Sequence, residues 1–441
     1  MTIIDWKAKS RQKHFLGSHT LGISLLIVVV LAMLGWSARA TSQTSSEHRY
    51  LYIAVDDAVK IFNIDANHQY VRKISLPGYL NPRGMRANVA TQRLYVAYKS
   101  SPAGPSLVAI DLTNDRVLWK KPFTPDADAI SITPDGSTIY MASGETTSSD
   151  YFFVLDAATG TIKDYLHIHP GTHNTIVSLD GKHVYITSLD FQTMYMFDTR
   201  SHEKLMEIGP FSAGIRPFTI NGRETLAFVN VNYLQGFEVA DLTTGKVLHR
   251  VEVQGFPYTP DPRVLDPSHG VGLTPDEREV WVAGATNYVH VFDATVMPPR
   301  QVASIRVNRV PKWVTFSLDG RYMYCGSGEV IDTQTRQIVA TYPSTKRQLE
   351  IDFVDNTAIR ANDIYGVGKV VDAPPIATTS PTLVPATATL PTVTLAPVTT
   401  TPPTTTQTPT ILPTTPTPLQ ATPTAIQPLV RFKQYLPFIG H

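Results

Sequence analysis

Residues 268–284 read SHGVGLTPDEREVWVAG. His269 leads the stretch, followed by a glycine, a TPDE turn and the alternating run VWVAG. A histidine can act as a general base, a proton carrier or a metal ligand, because it titrates near neutral pH and its ring nitrogens coordinate. A second stretch, HIHPGTH, adds His167, His169 and His173. Copper or zinc there would need at least one more ligand, and Asp128 is the only obvious nearby donor, so no metal set is assigned. The GxSxG, HExxH, CxxC, P-loop and EF-hand signatures are absent. The single cysteine, Cys325, excludes an intramolecular disulfide and sits in an alternating strand pattern, YMYCGSG, as a small core residue. No catalytic residue and no cofactor follow from the sequence.

The elements that would position these histidines repeat along the chain. SITPDGSTIYMASG (131–144), VSLDGKHVYITS (177–188) and FSLDGRYMYCGSG (316–328) share a strand–turn–strand pattern with the opening stretch, and TINGRETLAFVN (219–230) is a looser copy. The apolar anchors Leu94, Ile139, Val184, Leu226, Val280 and Met323 are spaced by 45, 45, 42, 54 and 43 residues. A following strand ends in Asp65, Asp111, Asp156, Asp198, Asp241, Asp293 or Asp332. An aspartate there can accept hydrogen bonds from the turn backbone. A residue present in every copy marks no single site, so these seven read as structural. A repeat of about 40–45 residues with several short strands is the period of a β-propeller blade. The expectation is an all-β, seven-bladed propeller. Residues 49–65 lack a first strand and 346–355 supply one, so the two ends should share a composite blade that closes the ring.

In a propeller, ligands meet the connections into each innermost strand, at the mouth of the central channel. Eleven residues before each anchor lie Arg83, Asp128, His173, Ile215 (with Arg216 beside it), His269 and Lys312, and the closing strand contributes Gln348. Six of these seven positions are polar, which points to a mixed-charge ring around one mouth. Exposed loop residues are polar by default, which is the plainer explanation of the same bias. Trp313, beside Lys312, adds a stacking surface. The long interval before Val280 holds an insertion, QGFPYTPDPRVLDPSHG (254–270), that delivers His269 to the ring. His167 and His169 should lie in an outer strand, leaving only His173 to reach the mouth.

GLTPDEREVWVAGATNYVHVFDATV and SITPDGSTIYMASG…FFVLDAATGTIKDYLHI resemble the YVTN type of β-propeller repeat, over roughly residues 49–355. The literal YVTN element survives only as VYITS, VWVAG and IYMAS. No WD dipeptide closes the blades, which separates the pattern from the WD40 type. The resemblance implies an exported seven-bladed propeller and brings no catalytic set. Propellers of similar repeat type include lactonases and the heavy subunits of quinone-linked amine dehydrogenases. One cysteine cannot make the crosslinks of the latter. A lactonase would draw on Arg83, Asp128, His173 and His269.

The ends bear on location. Lys7, Lys9, Arg11 and Lys13 precede the uncharged run LGISLLIVVVLAMLGW (21–36), and SARA (37–40) ends in a signal-peptidase pattern. Residues 1–40 therefore read as a signal peptide or a retained anchor, and 41–48 as a linker; either way the rest is exported. The propeller is assigned 49–371. Residues 372–428 form a Thr/Pro-rich stalk that cannot build sheet or helix, and 429–441 a short basic-apolar tail. The whole resembles exported bacterial proteins with Thr-Pro stalks and a YLP-type ending. The net charge of +1 gives no reason to expect nucleic acid. The expected function is a monomeric, exported binding or scaffold propeller that meets a protein, small-molecule or glycan ligand at its face. Membrane contact is limited to the N-terminal segment, and a lactone hydrolase or quinoprotein-like oxidoreductase is the alternative.

Overall fold

The computed structural model describes residues 47–256, 258 and 265–362. These belong to one compact unit, 1–381; a second unit, 382–441, lies outside the described residues, as do the signal or anchor segment, the stalk and the tail. Among the described residues no helix is long and apolar enough to cross a membrane.

Seven antiparallel sheets make seven blades. The blade at 172–208 is representative: Thr172–Val177, His183–Ser188, Met194–Asp198 and Lys204–Ile208 pair in order. Its second strand is buried throughout except at its first residue, while its last strand is largely exposed. That gradient follows from the ring. Inner strands are covered on both faces by neighbouring blades, and the outermost strand meets water. Successive side chains of one strand therefore serve two different interfaces. Leu94, Val96 and Tyr98 pack toward the first blade, whereas Tyr95 and Ala97 pack toward Ile130, Ile139, Met141 and Phe153 of the third.

Each blade's first strand touches the first strand of the next, and the series returns on itself where Arg347–Val354 meets Leu80–Asn88. The ring is closed by pairing. Glu47–Val55 runs antiparallel to Arg347–Val354, from Glu47↔Val354 to Ala54↔Arg347. Residues from both ends of the propeller thus build one blade, as the missing and surplus strands require. This blade carries a fifth strand, Thr357–Ala361, on the inner side of Arg347–Val354.

The turns explain the repeat. Thr133, Ser178, Thr274 and Ser317 each donate a side-chain hydrogen bond to the aspartate two residues on. Gly136, Gly181 and Gly320 then take φ of 70–74°, the left-handed region that glycine enters without strain. Glu277 adopts φ 60° at the same point of the opening stretch. The strand-ending aspartates accept backbone hydrogen bonds, for example Asp156 from Thr159 and Asp241 from Thr243.

Two positions differ from the sequence pattern. In the first blade the turn residue is Asn63, which accepts from the Ala66 amide; Asp65 instead pairs with Arg49. In the fifth blade Leu226 pairs with Asp241, the place held elsewhere by Arg93, Thr138, His183 and Glu279. The structural anchor is Ala227, which is fully buried but too small to stand out as an apolar anchor. Eleven residues before Ala227 is Arg216, not Ile215.

Candidate functional site

Four ring residues sit inside irregularities of the first strand. The register breaks between Pro82 and Gly84, Thr172 and Thr175, Ile215 and Phe218, and Ser268 and Val271. These breaks enclose Arg83, His173, Arg216 and His269. A bulge turns a side chain away from the normal alternation of the strand. These four are therefore part of the strands rather than of exposed loops, whereas Asp128, Lys312 and Trp313 lie just before Ile130–Ile132 and Val314–Phe316. Arg83, Asp128, His173, Arg216, Trp313 and Gln348 are all buried; His269 is partly accessible and Lys312 is exposed.

The centre of the cluster is ionic. Arg83 donates from Nε and Nη2 to the two carboxylate oxygens of Asp128, each at 2.9 Å, and from Nη2 to Glu145 Oε1 at 2.6 Å. Burial alone would discharge these groups, but they hold one another charged. Asp128 is kept well below the usual carboxylate range by Arg83 and His173. Glu145 is brought down to about 2 by His173 and Arg83. His173 is almost fully buried, with Nδ1 3.6 Å from both Asp128 Oδ2 and Glu145 Oε2. Neither of its ring nitrogens has a hydrogen-bond partner.

From His173 the cluster runs to an aromatic seam. The His173 and His269 ring centroids are 6.5 Å apart, and His269 meets Trp313 edge-on at 4.6 Å. The Arg347 guanidinium lies over the Trp313 ring, 4.0 Å from its centroid, a cation–π contact. Arg347 also donates to the Arg83 carbonyl, which ties Arg347–Val354 to the second blade. His269 Nδ1 is 3.3 Å from the Lys312 carbonyl oxygen. Loss of hydration, then Arg216 and Lys312, hold the His269 imidazole well below its ordinary value and hence neutral at neutral pH. Arg216 Nε donates to Asn232 at 2.6 Å.

Beside this seam opens a cavity of about 650 Å³, between the first, second and seventh blades. Its lining includes Lys60, Lys312, Trp313, Lys346, Asn81 and Asp56. Lys346 donates to the neutral Asn81 amide oxygen at 2.7 Å. Its ammonium is lowered to about 8, by desolvation first and then by Arg83 and Arg347, although the residue still reaches solvent. Lys312 is 3.4 Å from Asp266, at the end of the insertion. Residues 257 and 259–264 of that insertion lie outside the described residues.

The ring thus gathers Arg83, Asp128, His173, His269, Trp313 and Lys312 in one neighbourhood. Gln348 does not join it through its side chain, which donates to the Tyr324 carbonyl at 3.2 Å; its neighbour Arg347 takes the place at the mouth. His167 ends an outer strand and pairs with Asp150. His169 lies just past that strand, stacked on Phe191 at 3.8 Å, so it belongs to a connection rather than to the strand. Cys325 is a core residue, its thiol pushed up to about 12 by burial. Sequence reasoning missed Glu145, Arg347 and Lys346. Glu145 sits in the loop between Thr138–Ala142 and Tyr151–Asp156, longer than its counterpart in any other blade, and that length was its signal.

No family model matches the chain, and no curated protein does either.

Proposed function

We propose that the chain is an exported, non-enzymatic binding propeller of the YVTN type, which takes a small anionic ligand at the channel mouth. The observation that carries this reading is the gathering of Arg83, Lys312, Lys346 and Arg347 around Trp313, beside a cavity of about 650 Å³. Arg83 is neutralised by Asp128 and Glu145, but Lys346 has only a neutral acceptor. An anion there relieves cation–cation repulsion, and a planar one gains a stacking surface. The basic, apolar N-terminal run and the Thr/Pro-rich segment support export.

Calorimetric titration of the purified full chain with aromatic carboxylates, phosphate esters and neutral oligosaccharides tests the ligand class. Carboxylate or phosphate binding should weaken about tenfold in Lys346→Met, one charge contact being worth about 1.5 kcal/mol. Binding only of neutral glycans, or equal affinity in the variant, would overturn it. Recovery of the protein solely from cytosol would overturn the exported location. A lactone hydrolase is the second reading, favoured by the partly accessible His269 imidazole standing beside His173 and Trp313, where a base could meet substrate. Turnover of a lactone panel that disappears in His269→Ala would establish it in place of the first.

A further inference from the structure

We infer that Asp128, Glu145 and His173 form a binding site for one divalent first-row metal ion. The site is separate from the cavity beside Trp313, whose lining includes none of the three. One oxygen from each carboxylate and one imidazole nitrogen lie within 4.8 Å of one another. The two edges from His173 Nδ1, to Asp128 Oδ2 and to Glu145 Oε2, are both 3.6 Å. That is too long for good hydrogen bonds. It is close to the edge of about 3.4 Å that joins two ligands held tetrahedrally at bonds of about 2.1 Å.

His173 supplies the independent observation. It is 1% exposed, with both ring nitrogens unpartnered, and it is aimed at two carboxylates. A buried imidazole normally finds a partner, so an unsatisfied one beside two acids has the character of a metal ligand. The charges agree. A histidine binds metal as the neutral imidazole, so in the ligated site two carboxylates and one guanidinium leave a net negative centre, which a divalent cation offsets. Arg83 engages Asp128 and Glu145 Oε1 while Glu145 Oε2 turns to His173, so it acts as the outer partner that fixes both acids in place. One nitrogen and two oxygens suit zinc, manganese or iron(II), and three protein ligands leave a further position for water or a ligand atom.

Zinc alone is the probe. The full chain, stripped with chelator, is titrated with zinc chloride in a calorimeter, and separately with cobalt(II) while visible absorption is recorded. The expected result is one ion per chain and intense tetrahedral cobalt bands. His173→Gln should weaken zinc binding by at least about 100-fold, the upper end for loss of an outer partner alone, because a direct ligand is removed. Glu145→Gln, nearer the surface, should weaken it similarly and covers the case in which His173→Gln does not fold. Absence of stoichiometric zinc binding overturns the site. Equal affinity in both variants also overturns it, since the ion then binds elsewhere. Anion binding in the Trp313 cavity is measured without metal, so failure of one reading leaves the other standing.

Discussion

Asp128 has no exposed surface, yet it carries a full charge because Arg83 grips both of its oxygens. Two such ions are costly to bury and costlier to separate. Arg83→Met should therefore cost about 3–5 kcal/mol, read as a lowered urea midpoint, because Asp128 and Glu145 both lose their guanidinium. The double variant Arg83→Met/Asp128→Leu should recover part of that loss, since it removes one of the two stranded carboxylates. A double variant less stable than Arg83→Met would mean that stranded charge is not what destabilises the single one. Burial in the ring also governs which of these residues can be read from the chain. Arg83, Asp128, His173 and His269 are legible because they share an offset from an apolar anchor. Glu145 is not, because it comes from a different connection and reaches the site only through the fold. Arg347 is hidden by the composite blade, whose register depends on pairing residues about 300 positions apart.

At the scale of the element, the bulged first strand is the device that turns a structural repeat into a ring of polar groups. The bulge needs close approach between blades. Gly270, directly after His269, has φ 106°, and a Cβ there would lie 2.0 Å from the Lys312 carbonyl oxygen. Gly104 has a similar φ of 92° but open space around it. Gly104→Ala thus isolates backbone strain, of order 1–2 kcal/mol, while Gly270→Ala adds a collision. Chemical denaturation should place Gly270→Ala at least ~2 kcal/mol below Gly104→Ala. Equal destabilisation would mean that the Pro311–Trp313 segment yields freely. The seven-bladed architecture is legible because the turn chemistry repeats, with aspartate and glycine at fixed offsets. The slips at Asn63 and Ala227 have a common cause. Asparagine can accept the same turn hydrogen bond as aspartate, and alanine can occupy the same buried position as a larger anchor. Residue type alone conceals both, whereas strand register reveals them.

At the scale of the whole molecule, stability with pH reflects two opposed sets of carboxylates. The turn aspartates Asp111, Asp156, Asp198, Asp241, Asp293 and Asp332 are each held below the ordinary value. What they contribute is present above that value and lost as pH falls through their lowered ones. Glu350, in the closing strand, is the reverse. Burial, then the neighbouring Asp352, pushes its carboxyl up to about 9. The folded chain then keeps a proton that the unfolded chain releases above the ordinary value of 4.5, so stability declines as pH rises from there to about 9. Glu350→Gln should flatten that decline. The gap between variant and wild-type urea midpoints should widen from about pH 5 to about pH 9. A gap that stays constant would mean that Glu350 ionises normally. Because the closing blade depends on Glu350 remaining uncharged, alkaline conditions should weaken the ring at its joint first.

That joint also has a direction. Glu47 pairs with Val354, and Thr357–Ala361 folds back along the same strand, so both ends of the propeller leave the closing blade beside its inner strand. A pulling force applied at Glu47 and Asn362 would first peel Thr357–Ala361, beginning at Ala361, and then unzip Glu47–Val55 from Val354 onward. Hydrogen bonds would break one after another instead of sharing the load. Peeled from its neighbours, the closing strand would carry Arg347 away from the Trp313 ring. Tension along the chain would thus dismantle the mouth before it unfolds the other six blades.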